Sequence, residues 1–334
     1  MNRYVGNPLQ TRGAEQFVLQ NSGKGSGMRF LYVRNGRGLE LWISLDRAGD
    51  ISRVTYKGDE LAYFSPCGYV APTFYERRGF DFLKSFTAGF FTTCGLTNCG
   101  AFGTEDGEEL PFHGSISHIP AVLNGIEESE EGLKITLTLT VAEVFRYNLI
   151  LKRVYTIPYT ADTITVTDTV TNATDKVAPH MVMYHCNMGY PLLSETSTVR
   201  IPHTEMIPSS PRAESQKESA LQMEPPQDGY KECCYFYDIV PAHGNNARVG
   251  IYSPEIDKGV ILSYDKTVLP YFTEWKMMGS PEYVLGLEPG NCRPEGRPVA
   301  RANGRLSELK PGESKTTELT FCFTESAAVF EELF

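Results

Sequence analysis

The chain has 334 residues, a formal net charge of −10 and 41% apolar residues. An acidic chain without a basic stripe is not expected to bind nucleic acid, because phosphate recognition needs clustered Lys and Arg. No apolar run reaches the ~20 residues that span a bilayer, and residues 1–27 lack the apolar core of a signal peptide. We therefore expect a cytoplasmic protein without a membrane partner. The eight cysteines include no C-x-x-C pair, which favours free thiols over a zinc site.

Alternation of apolar and polar residues is the dominant pattern along the chain. It is clearest in four segments, residues 39–45, 135–141, 163–170 and 319–324. Period-two alternation rich in Thr, Val and Ile predicts strands with one buried face, and turn-forming pairs such as Asn35-Gly36 separate them. We therefore predict an all-β fold, a large antiparallel sandwich that occupies residues 1–334 as a single domain.

Three segments depart from this pattern. Residues 76–86 and 326–334 are each predicted to form a short helix. Residues 204–230 are rich in Pro, Ser and Glu and are too long for a tight hairpin. A long surface loop is predicted there, which either borders a site or only connects two strands.

Two of the six histidines stand in unusual settings, and histidine is the usual general acid or base near neutral pH. His113 precedes Gly114, which permits close approach of a ligand to the backbone; the alternative is a turn histidine bonded to a carbonyl. His185 and Asn187 lie two residues apart near the end of a predicted strand, so their side chains point to the same face. On a face that should be core, this pair predicts either a satisfied buried network or the wall of a cavity.

A carboxylate and an aromatic residue mark a third region. An apolar strand is predicted to end in Glu288-Pro289-Gly290. If the strand end is buried, desolvation raises the pKa of the carboxyl group and makes the carboxylate a stronger base. If the strand end is exposed, the pKa keeps its ordinary value. Trp275 offers an aromatic plane beside Lys276, although a tryptophan can equally serve as core.

The order of five short segments is distinctive. They are Arg47-Ala48-Gly49-Asp50-Ile51, Thr93-Cys94-Gly95-Leu96, His113-Gly114, the His-x-Asn-x-Gly-Tyr-Pro-Leu-Leu run from His185 to Leu193, and Glu288-Pro289. In this order they resemble the aldose 1-epimerase (galactose mutarotase-like) superfamily, and most closely its poorly characterised branch once described as a domain of unknown function. The run from His185 is the most specific part, and the resemblance covers roughly residues 30–324.

The resemblance implies a β-supersandwich and an acid/base reaction that interconverts the anomers of a free sugar. By motif position, His185 is the general acid, Glu288 is the general base, and His113 is the histidine that binds and polarises the sugar. The reaction needs no metal and no other cofactor, so we expect neither.

The resemblance also implies side chains that hold the sugar. The family places an arginine and an aspartate on the sugar hydroxyls, and by approximate position these are Arg78 and Asp238. Asn187 and Trp275 are predicted as further contacts. Which sugar is bound stays open. The cations that would favour an acidic or sulfonated sugar, if they lie near the cleft, are Arg78, Lys84 and Lys276.

Three other classes of protein remain open. A non-catalytic sugar-binding module would keep the cleft but would not need Glu288. A glycoside hydrolase or lyase usually needs two carboxylates, and only one stands out. A cysteine-dependent enzyme that uses Cys94 or Cys186 with His185 needs a basic pocket or a helix N-terminus to lower the thiol pKa, and neither is evident. The sequence also leaves open whether the chain forms a homodimer.

Overall fold

Antiparallel strands are the main regular structure of the protein, as a computed structural model of residues 11–334 shows; residues 1–10 lie outside the described part. The all-β prediction is confirmed. The first sheet contains five strands in chain order, β1 (Gly13–Val18), β2 (Arg29–Arg34), β3 (Leu39–Ser44), β4 (Asp50–Tyr56) and β5 (Asp59–Glu60). Within residues 11–334, no helix is long and apolar enough to cross a bilayer.

Two larger sheets complete the architecture. The six strands of one sheet are β6 (Phe91–Leu96), β14 (Met181–Met188), β16 (His203–Pro208), β17 (Cys233–Ile239), β20 (Tyr271–Met278) and β21 (Tyr283–Gly290). The eight strands of the other are β9 (Val122–Glu128), β10 (Gly132–Glu143), β11 (Tyr147–Pro158), β12 (Thr163–Asn172), β15 (Thr198–Arg200), β18 (Asn246–Ser253), β19 (Lys258–Asp265) and β23 (Ser314–Thr324). The order of strands is β16-β17-β20-β21-β14-β6 in the first of these sheets and β15-β18-β19-β23-β12-β11-β10-β9 in the second. The four strongly alternating segments fall in β3, β10, β12 and β23, as predicted.

The remaining elements are short. Four strands form two small ladders, β7 (Gly103–Glu105) with β8 (Glu108–Leu110) and β13 (Ala178–Pro179) with β22 (Glu308–Leu309). The helices are α1 (Pro211–Ser215), α2 (Arg297–Ala302) and α3 (Ala327–Glu332), and the 3-10 turns are Gly23–Gly25, Pro72–Phe74, Asp81–Lys84, Ile116–His118 and Lys217–Ser219.

The three segments without strand alternation contain short helices, 3-10 turns and one strand. The predicted C-terminal helix is α3, which begins where Ser326 accepts a hydrogen bond from the Val329 amide. The helix predicted at 76–86 shrinks to the 3-10 turn Asp81–Lys84. The loop predicted at 204–230 was wrong in part, because it contains most of β16 and all of α1.

One apolar core is formed by residues of the five-, six- and eight-stranded sheets. Because one face of the six-stranded sheet packs on this core, only its other face can carry a site. On β14, Tyr184 and Cys186 belong to that core. The alternate residues, His185 and Asn187, therefore point to the opposite face of the sheet. That face is also covered, because every residue of β14 and β21 is buried. Side chains there are desolvated on both sides of the sheet.

A buried ionic network ties the sheets together. Arg153 of β11 is 0% exposed; its Nη1 lies 2.6 Å from Asp50 Oδ1 of β4 and its Nη2 lies 2.6 Å from Asp168 Oδ2 of β12. Thr93 of β6 accepts a hydrogen bond from Arg153 Nη2 at 2.7 Å and donates its own amide to Asp50 at 2.8 Å. Asp50 and Thr93 belong to two of the short segments on which the family resemblance rests. In the structure they connect the five-stranded and six-stranded sheets to Arg153 of the eight-stranded sheet.

Glu274 on β20 is expected to make stability depend on pH. Burial raises its pKa to about 7, while Tyr237, which donates to its Oε2 at 2.6 Å, and the charge of Lys276 partly offset that rise. The pKa of Glu274 in the folded protein exceeds its unfolded value of 4.5, so protonated Glu274 contributes fully to the free energy of unfolding below pH 4.5. That contribution is lost as the pH rises through about 7, which lowers the free energy of unfolding by roughly 3 kcal/mol. Urea unfolding of Glu274→Gln should show stability rising relative to wild type across this range. An unchanged pH profile would exclude Glu274 as the responsible group.

Candidate functional site

A cavity of about 590 Å³ opens on the covered face of the six-stranded sheet. Its floor comes from the sheet itself, and its walls come from the loops that precede β6 and β9. The lining residues are Tyr63, Ser65, Pro66, Cys67, Phe80, Phe82, Leu83, Phe86, Phe112, His113, His185, Glu232, Cys234, Thr273, Trp275, Met277, Glu282, Glu288 and Pro294. The volume suits a small-molecule site.

His185 is held in one orientation by its neighbour on β14. Its Nδ1 lies 2.6 Å from Asn187 Oδ1, and Asn187 Nδ2 donates to the carbonyls of Gly89 at 3.0 Å and His185 at 2.8 Å. Because those two donated bonds identify the amide nitrogen, Oδ1 must accept, and the neutral ring carries its proton on Nδ1. The lone pair on Nε2 then faces Glu288, whose Oε1 is 3.2 Å away.

Glu288 lies within β21, which continues through Pro289 to Gly290. The strand ends in Glu288-Pro289-Gly290, as predicted. The carboxyl group is 3% exposed, and its Oε1 has no well-aligned hydrogen bond to any described residue. It lies over Gly286, where an added Cβ would come within 2.4 Å of Oε1. A glycine two residues upstream therefore makes room for the carboxylate.

His113 approaches the pair from the loop between β8 and β9. Its φ is 56°, in the left-handed region, its amide donates to Gly100, and its carbonyl accepts from Gly95. The following Gly114 could not carry a Cβ, which would lie 2.1 Å from the Gly95 oxygen. The His113 and His185 rings are 5.7 Å apart, and His113 Nδ1 is buried without a partner among residues 11–334. The strained turn and the unpaired nitrogen both indicate a ligand contact.

Burial dominates the electrostatics of these three groups. It lowers the pKa of His185 to about 4, which the hydrogen bond to Asn187 offsets only in part. It lowers the pKa of His113 to about 3, with a further contribution from His185. Burial and then the charge of Glu232 raise the pKa of Glu288 well above its ordinary range. Burial therefore favours the neutral form of both imidazoles and the protonated form of the Glu288 carboxyl group, which biases the dyad of His185 and Glu288 towards one proton, held on the carboxyl group.

Trp275 forms one side of the cavity, on the same face of β20 as Thr273 and Met277. Its ring lies 5.2 Å from that of His185 and 6.4 Å from that of Phe86. Its Nε1 donates to Glu232 Oε2 at 2.7 Å. The indole thus combines an apolar plane with a fixed polar edge.

Two predicted sugar contacts do not lie in the cavity. Arg78 is exposed and is not part of the lining. Asp238 lies near the end of β17, where it is exposed and bound to Lys266 at 2.6 Å and to Thr204 at 2.7 Å. Lys276 was predicted to lie beside the Trp275 plane, but strand alternation turns it to the other face, where it donates to the carbonyls of residues 219 and 222.

Two other histidines, His118 and His180, and the cysteine Cys186 have structural surroundings. His118 is stacked on Tyr75 at 3.7 Å and bonded to Ser85, and His180 is bonded to Asn291. Cys186 faces the apolar core, and burial raises its pKa well above the usual range, which argues against a thiolate nucleophile there. Within the described chain, no group of three or more His, Cys, Asp or Glu side chains could hold a metal ion.

Several cavity residues were missed by reasoning from the sequence. They are chiefly the phenylalanines at 80, 82, 86 and 112 and the carboxylates Glu232 and Glu282. The phenylalanines lie on irregular segments that have no periodicity. Glu232 alternates with Cys234, so a strand pattern starting two residues earlier could have placed it on the site face.

Solved structures with the same fold show low sequence identity to this chain. A candidate aldose 1-epimerase from Klebsiella pneumoniae superposes with a TM-score of 0.89 at 23% identity over 96% of this chain and 85% of the other. A galactose mutarotase-like protein from Clostridium acetobutylicum gives 0.68 at 13% identity over 94% and 99%. A candidate mutarotase from Salmonella typhimurium gives 0.62 at 11% identity over 90% and 91%. No curated protein sequence matches the chain.

These neighbours and the strand order define a galactose mutarotase-like fold. The chain belongs to the DUF4432 family, described as a domain of unknown function, whose profile matches residues 25–322. The predicted resemblance to the uncharacterised branch of the aldose 1-epimerase superfamily is thereby confirmed.

Proposed function

We propose that the protein is an aldose 1-epimerase-like isomerase that interconverts the anomers of a free sugar. The observation that carries the proposal is the contact between His185 Nε2 and Glu288 Oε1, 3.2 Å apart on the floor of the cavity. His113 lies beside this pair. The arrangement supplies one base and one acid within reach of the same ligand, without a metal.

The reaction needs two proton transfers. One group removes the proton from the anomeric hydroxyl while another protonates the ring oxygen. The ring then opens, the C1–C2 bond rotates, and closure on the other face of the carbonyl gives the second anomer. A dyad with one proton suits this scheme, because one member can accept while the other donates.

In our assignment, His185 is the acid and Glu288 is the base. Sugar hydroxyls that donate to the Glu288 carboxylate stabilise its ionised form, so binding moves the proton of the dyad to His185 Nε2. Asn187 accepts from Nδ1 of the resulting imidazolium. His113 binds and polarises the sugar through its otherwise unpaired nitrogen, and Trp275 stacks on the C–H face of the ring.

Exchange NMR between α and β anomers, with and without protein, tests the proposal on a panel of hexoses, pentoses and ketoses. We expect acceleration for at least one sugar. Binding without acceleration would instead favour a sugar-binding module. A screen with chromogenic glycosides, read as release of the chromophore, would reveal a hydrolase.

Gly286→Ala should impair turnover although every reactive group remains. The new Cβ would lie 2.4 Å from Glu288 Oε1 and 2.9 Å from the Cβ of Trp275, so the carboxylate must leave its present position, in which Oε1 is 3.2 Å from His185 Nε2. Misplacement of a catalytic group by about 1 Å can cost roughly 10²-fold in rate, and we expect a fall in kcat of that order. Gly125→Ala is the control, because nothing lies within 4 Å of its added Cβ. Equal activity of the two variants would contradict this role for Gly286.

A further inference from the structure

The wall of the cavity has an unusual charge composition. Three carboxylates line it, Glu232, Glu282 and Glu288, whereas none of its described lining residues is Lys or Arg. The remaining surface is largely aromatic or aliphatic. An anionic ligand in this cavity would give up hydration without meeting a fixed positive charge.

Of the three cations predicted for an acidic sugar, Arg78 is exposed and is not part of the lining, and the other two are engaged elsewhere. Lys84 Nζ lies 2.7 Å from Asp81 and 3.0 Å from Glu76, and Lys276 points to the opposite face of the sheet. The two histidines of the site do not compensate, because burial lowers the pKa of both to about 3 and about 4. The described lining of the cavity therefore offers an anion hydrogen bonds but no Lys or Arg.

Glu232 places a negative charge beside the reacting groups. Its side chain is exposed and lines the cavity. The hydrogen bond from Trp275 Nε1 at 2.7 Å fixes it against the indole, and that ring is 5.2 Å from His185. Its field reaches the floor of the cavity, where it contributes to the raised pKa of Glu288.

We propose that the substrate is a sugar without an anionic group, and that Glu232 is the specificity residue that excludes uronates, sugar phosphates and sulfonated sugars. The proposal rests on the proposed function, since it concerns the substrate of the same site. Repulsion between the Glu232 carboxylate and an anionic sugar raises the free energy of the bound state of that sugar, and so favours binding of an uncharged sugar. A positively charged amino group is tolerated by the same reasoning.

The test compares kcat/KM for three sugars that differ only at C6: glucose, glucuronate and 6-amino-6-deoxyglucose. The three corresponding sugars of the galactose series are measured in parallel. For wild type we expect kcat/KM for the uronate to be lower than for the uncharged sugar by about 100-fold, the effect of one like charge a few ångströms away at intermediate dielectric. Added salt should raise the uronate rate. Equal kcat/KM for uncharged and anionic members would overturn the proposal.

Glu232→Gln removes the charge while Oε1 of the amide can still accept from Trp275. In this variant we expect the ratio of kcat/KM for the uncharged sugar to kcat/KM for the uronate to fall by about tenfold. Added salt should then have little effect on the uronate rate. Glu205→Gln on β16 is the control, because it makes the same change in net charge at an exposed position outside the cavity. Identical discrimination in both variants would show that Glu232 is not the specificity residue.

Binding separates a failure of this proposal from a failure of the proposed function. The chain has only two tryptophans, and in Trp42→Phe the remaining one, Trp275, reports occupancy of the cavity by fluorescence. If no sugar is interconverted, the proposed activity is wrong, and the relative affinities of the three sugars still decide the question of charge. Tighter binding of the uronate would overturn the proposal.

Discussion

Glu288→Gln is expected to lower kcat for anomer exchange by about 10²–10⁴-fold, the usual contribution of one positioned acid/base group. The amide is nearly isosteric with the carboxyl group, so the cavity keeps its shape and sugar binding should persist. What disappears is a group that can take a proton from the anomeric hydroxyl while His185 Nε2 acts on the ring oxygen. Exchange NMR measures the rate, and Trp275 fluorescence measures binding.

Glu274→Gln is the matched control for this experiment. Both glutamates are buried in neighbouring strands of one sheet, but Glu274 faces the apolar core and bonds to Tyr237. Its variant should keep the wild-type kcat. A Glu288→Gln protein with full activity would remove Glu288 from the mechanism, and equal losses in both variants would point to general damage of the sheet.

Arg153→Met should lower the free energy of unfolding by about 3–5 kcal/mol, because it leaves Asp50 and Asp168 buried without their counter-charge. The guanidinium is 0% exposed and bonds to residues from three sheets. Urea unfolding gives the change in stability. The loss should be partly restored when Asp50→Asn and Asp168→Asn are added, because the triple variant no longer buries an unpaired charge.

Arg37→Met provides the comparison for Arg153→Met. Arg37 pairs with Asp162 at 3.0 Å, but its side chain is 48% exposed, so water and salt screen the pair. We expect a far smaller effect on unfolding than at position 153. Comparable losses at the two positions would contradict the view that burial of the network determines its importance.

Local alternation was sufficient for the fold class. In β10, apolar residues recur at every second position, and β12 follows the same pattern except at Asp168; such alternation is typical of a strand with one buried face. The same rule placed His185 and Asn187 on one face of β14, because alternation is a property of the backbone and needs no knowledge of neighbours. The motif order supplied Glu288 and His113 as their partners.

Arg78 and Asp238 show where that reasoning ended. Both were chosen by approximate position along the chain, and both lie on the surface, because the path of an irregular segment and the position of a residue along a strand depend on tertiary contacts. The aromatic wall was likewise missed, because residues 76–86 were predicted to form a helix and only Asp81–Lys84 forms a 3-10 turn.

The sequence alone determined the all-β class and the three residues around which we propose catalysis, because strand alternation and a short motif are local properties. Only the tertiary structure decided that His185 and Glu288, which are 103 positions apart in the chain, face each other at 3.2 Å. It also decided that burial lowers the pKa of His185 and raises that of Glu288, and that no described cation lines the cavity. Those properties depend on which segments exclude water from the same space, and alternation within one strand does not specify its distant neighbours.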